Sequence, residues 1–594
     1  MYCKILMFLI FYVSFSVKFL NAYEDTLTDQ EIQGSLENNR LRESFERYLA
    51  TILMYDPERA TQLGIHDSDH FLTKRSPENI NDELKSLIKL RKDLQLIDKE
   101  TLYPYLQADL ALLDSMLEVD VYNLTNLNIL SKYPHYYLQP LSVTYILMNK
   151  ETGNYTLKAV NSIKRLKAFP ETLLQAERNI SHPPKIWTEY SIDIAQKAKD
   201  NLPDFFALFK NYVKFDPTAK ADLDQTLEKI KDSLERYINY LKKDVMRKAD
   251  GDPAVGEYTY GFYLERWHGF DMTTSSAWRY VKKVFKEKMK DLQKEAKNLD
   301  PITESKEGWM GVLGKLSKDH PKLEDLIKTF SQEINRASNH FDEYKVVNYP
   351  KQRLLVKSMP AFMQVASPYA YYVPPFPFDE DKVSEIYLLL PDEKEEQKNI
   401  EKKLSSLYSY NNIELLVSGL VVPGLHLKYY ESYKNQSRIR KMANQPAINN
   451  GWLCYAELLS EEMGYYSAMQ QAMFLRKYVA AIRAARAYVD VGFHTKKLSY
   501  EESVKFFVDN FKFSENQAKR EVLQISIDPT IALSAMVGFD KILEMRSRYK
   551  KTEDKYFDLR NFHSDFLQLG NIQVDKAVLE MRRLRKKDRG ELDD

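Results

Sequence analysis

Leu223, Leu227, Ile230, Leu234, Ile238 and Leu241 step through residues 223–241 by three or four positions, with charged and polar residues between them. At 3.6 residues per turn that spacing lays all six side chains on one face, which predicts an amphipathic helix. Pro217 lies upstream, where a helix can begin. Trp278, Val281, Phe285, Met289, Leu292 and Ala296 repeat the pattern, with Thr273, Thr274, Ser275 and Ser276 offering N-caps. Residues 457–489 read as another long amphipathic stretch, in which Ala480, Ala481, Ala484 and Ala485 allow close helix packing. Strand-like runs are rare. The best are Leu354-Leu355-Val356 and Ile386-Tyr387-Leu388-Leu389-Leu390, the second ended by Pro391. Residues 371–379 carry Pro374, Pro375 and Pro377, so they read as an extended aromatic connector. The fold class is mainly α, a large multi-helix body with few short strands.

The rest of the composition agrees. With 594 residues, 44% apolar and 29% charged, the chain has ample core material, and only 18 glycines favour helix. A net charge of +1, with signs interleaved, argues against nucleic acid as a partner. Arg582, Arg583, Arg585, Lys586 and Lys587 form a basic run that reads as a solvated helix end. Residues 1–22 read as a secretory signal. Lys4 gives the positive start, residues 5–17 are apolar and too short to span a bilayer comfortably, and Ala22 is a plausible cleavage point. No membrane span is expected beyond it. Cys3 lies in that segment, which leaves Cys454 as one thiol and no disulfide. Asn123, Asn154, Asn179 and Asn435 begin glycosylation sequons. The first three are expected on exposed surface and the fourth near the functional site. The expected organisation is a signal (1–22), an N-terminal helical part (23–250) and a C-terminal helical part (251–594), secreted as a whole.

Several ordered blocks carry a resemblance. They are the run from Asp56 through Pro57 to Gly64-Ile65-His66, the block Gly256-Glu257-Tyr258-Thr259-Tyr260 with Leu264, the stretch Val421-Val422-Pro423-Gly424-Leu425-His426, the stretch Asn450-Gly451-Trp452-Leu453-Cys454-Tyr455-Ala456-Glu457, and the closing run from Phe557 to Gly570. Together they resemble domain of unknown function 885, whose members look like zinc metallopeptidases with a helical fold around a central cleft. That resemblance implies H-E-A-Y-P-G-H-H-L-Q on the active helix, E-G-W-A-x-Y-x-E on a second, and P-x-Q-A-x-S-Y-x-x-G near the C-terminus. Such histidines hold zinc, and the glutamate beside the first takes a proton from zinc-bound water.

This chain departs at the chemical positions. With Pro423-Gly424 fixing the register, Gly419 stands for the first histidine, Leu420 for the catalytic glutamate, and Leu425 with His426 for the histidine pair. Lys428 replaces the final glutamine, Asn450 the ligand glutamate, and Ala535 the tyrosine. Gly451, Trp452, Tyr455 and Glu457 persist. Zinc needs three protein ligands with one open position. Loss of the general base alone removes ~10²–10⁴-fold, and loss of the tyrosine a further ~10²–10³-fold if it acts as an oxyanion donor. The expectation is therefore a protein with no metal or cofactor and no catalysis, binding a peptide or protein in the inherited cleft. His426, Lys428, Trp452 and Tyr455 would line the groove, with Lys428 holding a peptide carboxylate, and Glu457 and His563 stand nearby. One alternative is an active hydrolase that uses zinc or a rearranged set of His426, His563 and Glu457. Another is an extracellular structural or storage protein. His66-Asp67-Ser68-Asp69-His70 reads as a hydrogen-bonded turn rather than a metal site, Cys454 as a core thiol, and Glu457, Glu461 and Glu462 as a polar helix face.

Overall fold

The two periodic stretches form helices where the spacing requires them. A computed structural model describes residues 36–214, 217–347, 350–360, 370–392, 394–466 and 470–588. Helix α1 (Pro217–Tyr240) buries Leu223, Ile230, Leu234 and Ile238, and a single π turn at Leu241–Val245 carries Leu241 into the same core. Helix α2 (Thr274–Leu299) is capped by the Thr273 hydroxyl, which accepts from the Ser276 amide at 3.1 Å. Its apolar face lies on a long helix, Gln470–His494, whose Ala481, Ala484 and Ala485 are buried. Trp278 and Phe285 pack against Tyr488 of that helix at 4.7 and 5.9 Å. Small residues on one side thus make room for aromatic rings on the other.

The few strands form one small sheet of order β1-β3-β2. Strand β1 (Arg353–Ser358) runs parallel to β3 (Val383–Leu388), and β2 (Tyr371–Val373) pairs antiparallel to β3 with Tyr371 opposite Tyr387. Every residue of β3 is buried, as suits the central strand. After β2 the proline-rich connector turns back to the N-terminal helices. The Phe378 amide donates to the Leu63 carbonyl at 2.8 Å.

His66 closes that connection, within the hydrogen-bonded turn expected of residues 66–70. Its Nδ1 meets Asp69 at 2.9 Å and its Nε2 meets Asp379 at 2.8 Å. Burial opposes a charge on the ring, but the bonds to Asp379 and Asp69 outweigh it and raise its pKa to about 9. A folded-state pKa above the unfolded one stabilises fully below about pH 6.5 and is lost as pH rises through about 9. The ring is 38% exposed, so solvent screens the effect and the contribution is modest. Urea midpoints should therefore fall between pH 6.5 and 9, and His66→Asn should flatten that slope. An unchanged slope in the variant would refute the clamp.

Two expectations are corrected, on residues 457–489 and on the sequons. Residues 457–489 are not one helix: Pro446–Glu462 and Gln470–His494 are separate, and Gly464 leaves the first in a left-handed conformation (φ +70°) that a side chain would resist. The helical parts on either side of residue 250 pack on one another. Leu41, Leu49, Leu112 and Leu117 pack with Ile439, Met442 and Ala443. Arg440 pairs there with Asp109 and with Glu580, and donates to the Tyr105 carbonyl at 2.9 Å. Of the first three sequons, Asn154 alone is exposed. Asn123 accepts from the Tyr263 hydroxyl at 2.7 Å, and the Asn179 amide donates to the Arg75 carbonyl at 2.7 Å. At the fourth, the Asn435 amide donates to the Gln568 carbonyl at 2.7 Å. The expected signal at 1–22 lies outside the described residues. Among the described residues no single helix is long and apolar enough to cross a membrane.

Candidate functional site

Three sequence blocks converge on one turn. Helix α3 (Tyr410–Leu420) ends at Val421, and α4 (Leu425–Ser432) begins after Gly424. The turn is so tight that a Cβ on Gly424 would lie 1.9 Å from the Gly419 carbonyl oxygen. The Val422–Pro423 peptide is cis, and the Trp452 indole donates to the Pro423 carbonyl at 2.9 Å. Trp452 sits on α5 (Pro446–Glu462), which crosses α7 (Ile531–Glu553) at Gly451 and Gly538. A Cβ on Gly538 would come within 1.9 Å of the Ala447 carbonyl oxygen, so the glycines are what let the backbones touch. Asp490, on α6 (Gln470–His494), accepts from the Thr530 and Leu533 amides at 3.0 Å each and caps α7. Burial pushes its pKa up to about 7. Sequence reasoning missed Asp490, because the amides it serves lie far along the chain.

The family positions divide by environment. Leu420, Leu425, Asn450 and Ala535 are half-buried and reach solvent, whereas Gly419, Gly451, Trp452, Tyr455 and Glu457 are buried. Leu420, Leu425 and Ala535 pack their inner sides on the main core. Where the resemblance implies imidazoles and carboxylates, the chain thus presents mostly hydrocarbon. Behind it lies an ion pair. Arg483 of α6 reaches Glu457 in a two-pronged arrangement, one prong at 2.7 Å. Burial works against the guanidinium charge, yet Glu457 more than compensates and raises its pKa. A Cβ on Gly419 would stand 3.1 Å from Glu457 Oε1, so the carboxylate occupies space beside the first-histidine position. Among the described residues, no group of three or more His, Cys, Asp or Glu side chains is arranged to hold a metal ion. Arg483 was also missed by sequence reasoning; its only signal was a lone cation among the packing alanines of 480–485.

The remaining candidates turn inward instead of lining an open groove. His426 is 3% exposed; its Nδ1 meets Ser384 Oγ at 3.1 Å, and burial lowers its pKa to about 4. Lys428 is wholly buried, donates to Asn571, and has its pKa lowered to about 7 by burial. It holds Asn571 where a peptide carboxylate was expected. His563 Nδ1 donates to the Val346 carbonyl at 2.7 Å, which leaves Nε2 to accept from the Tyr455 hydroxyl at 2.7 Å. Burial lowers the His563 pKa to about 4. His426, His563 and Glu457 therefore each answer to different partners. The thiol of Cys454 is buried, and its pKa is raised by that burial. Glu461 pairs with Arg476 and Lys477, and Glu462 with Arg546, so the acidic face of α5 is matched by cations on its neighbours.

The helical body, its small sheet and these converging blocks define a single family pattern. Residues 57–577 match the model of "Bacterial protein of unknown function (DUF885)", and the chain belongs to that family. Two solved structures share the fold. A protein from Shewanella oneidensis, described as a lipoprotein of unknown function, aligns with a TM-score of 0.73 at 18% identity, covering 93% of this chain and 100% of its own. One from Colwellia psychrerythraea, also described as a lipoprotein, aligns at 0.75 and 16% identity with the same coverage. No curated protein matches the sequence.

Proposed function

We propose that this protein is an exported, catalytically silent homologue of zinc metallopeptidases that works by binding a peptide or protein segment in an inherited cleft. One observation carries the reading: the solvent-reaching positions of the turn are Leu420, Leu425, Asn450 and Ala535, with the buried Glu457 behind them, paired to the half-buried Arg483. Leucines and alanine offer no lone pair to a metal, and the asparagine oxygen is uncharged. Arg483, partly exposed, occupies the Glu457 carboxylate in an ion pair and so takes that acid away from a metal. The family positions that persist are those with packing duties, consistent with a scaffold kept for its shape. An apolar wall suits an extended peptide, which supplies its own polar backbone. Export is supported by the character of residues 1–22 and by the description of both structural relatives as lipoproteins.

The test uses the purified full chain. Elemental analysis should find zinc far below one per chain, and peptide mixtures should show no chelator-sensitive cleavage. Stoichiometric zinc together with chelator-sensitive turnover would overturn the reading.

A further inference from the structure

The block Gly256-Glu257-Tyr258-Thr259-Tyr260 takes no part in the turn at Pro423-Gly424. The helix it opens, Gly256–Phe262, instead forms one side of a recess of about 760 Å³ that opens to solvent. Ligand pockets span roughly 300–1,000 Å³, so the size suits a bound molecule. Helix Pro104–Asn126 supplies the facing side, and a π turn at Tyr263–Trp267 continues the first. The recess shares no lining residue with the apolar turn.

Its apolar part is aromatic. Tyr258 and Phe262 stand one helical turn apart. Tyr122 packs against both, stacked on Phe262 at 3.9 Å and lying 6.4 Å from Tyr258 between ring centres. The Tyr122 hydroxyl bonds to Thr259 Oγ1 at 2.8 Å, which fixes the ring. Tyr258 is 80% exposed, so most of its surface is open to a ligand. A ring so placed is a flat apolar platform with a polar tip.

The charged lining narrows the ligand. Arg91 and Arg266 stand with Glu118, Glu257, Glu265 and Asp271, an excess of acid that disfavours an anion. Three of those acids are already answered within the chain. Glu118 meets Arg91 at 2.8 Å, Glu265 meets Arg266 at 3.3 Å, and Glu257 meets Lys497 at 2.5 Å. Asp271 is exposed, where solvent screens a lone charge, so a cation gains little there. What remains is a set of forked donors and acceptors with spare N–H groups and lone pairs for neutral hydroxyls. A sugar ring has C–H groups on its faces and hydroxyls round its edge, which matches the platform and the forks together.

We propose that this recess binds a neutral carbohydrate, its ring face on Tyr258 and its hydroxyls shared among Arg266, Glu265 and Asp271. A free oligosaccharide and a glycan carried on another protein present the same chemistry.

The test applies the full chain to an array of immobilised neutral, sialylated and sulfated glycans. Neutral glycans should be retained in preference to the acidic ones. Competition by the same glycan, free or attached to a glycoprotein, then separates the two sources. Tyr258→Ala should weaken binding about ten-fold, and Asp271→Ala several-fold. Tyr556→Ala removes another exposed tyrosine, 74% exposed and outside the recess, and should change nothing. Circular dichroism of each variant checks that the fold is retained. Retention of no neutral glycan, or a preference for sialylated or sulfated ones, would overturn the proposal. Wild-type binding by both Tyr258→Ala and Asp271→Ala would overturn the assignment to this recess. None of these results bears on peptide binding at the apolar turn, which the zinc and cleavage assays test separately.

Discussion

Arg483→Leu should destabilise the protein by about 3–5 kcal/mol, the cost of stranding a buried charge. Its partner Glu457 is 4% exposed and receives both prongs of the guanidinium. Without Arg483 the carboxylate remains buried beside the Gly419 backbone with its counter-charge gone. Removing both charges should be far milder. Arg483→Leu with Glu457→Leu replaces an ion pair by apolar volume, and such exchanges are often neutral or stabilising. Urea denaturation of the two single variants and the double variant measures the difference. A loss below about 1 kcal/mol in Arg483→Leu would mean that water screens the pair, and the part proposed for it in excluding a metal ion would fall with it.

Trp452→Ala should cost a comparable 3–5 kcal/mol. The indole is fully buried, stacks on Phe566 at 5.6 Å, and meets His563 edge-on at 5.6 Å. Truncation would leave a cavity under the 421–424 turn and strip the Pro423 carbonyl of its donor. Trp452→Phe keeps most of the volume and loses the hydrogen bond, so about 1–2 kcal/mol is expected. Thermal unfolding followed by near-ultraviolet circular dichroism separates the two. Equal losses in both variants would assign the cost to the hydrogen bond alone. Trp452, Gly451 and Tyr455 each fill or permit a contact that the fold needs. Leu420, Leu425, Asn450 and Ala535 reach solvent, where the fold tolerates exchange.

Much of the fold was legible because it is local. The 3.6-residue periods of 223–241 and 278–296 became helices on schedule, and Thr273 became the cap that its hydroxyl suits. The runs at 354–356 and 386–388 became strands, and the prolines kept 374–379 out of helix. The break at Gly464 escaped notice because amphipathic spacing continues on both sides of it. The site was less legible. Register on Pro423-Gly424 located the turn, but residue type alone could not say which side chains face outward. His426, Lys428, Trp452 and Tyr455 carry polar atoms, which reads as binding in a sequence, and each of those atoms proved to be spent inside the chain.

From its order of residues alone, the chain determined a mainly helical body and the place of the tight turn at Pro423-Gly424. Those properties depend on spacing along the backbone and on side-chain identity. Tertiary structure decided that Arg483 pairs with Glu457 and that Asp490 caps a helix forty residues away. Charges and hydrogen bonds act through space over a few ångströms, so their partners are chosen by how helices pack and not by their distance along the chain.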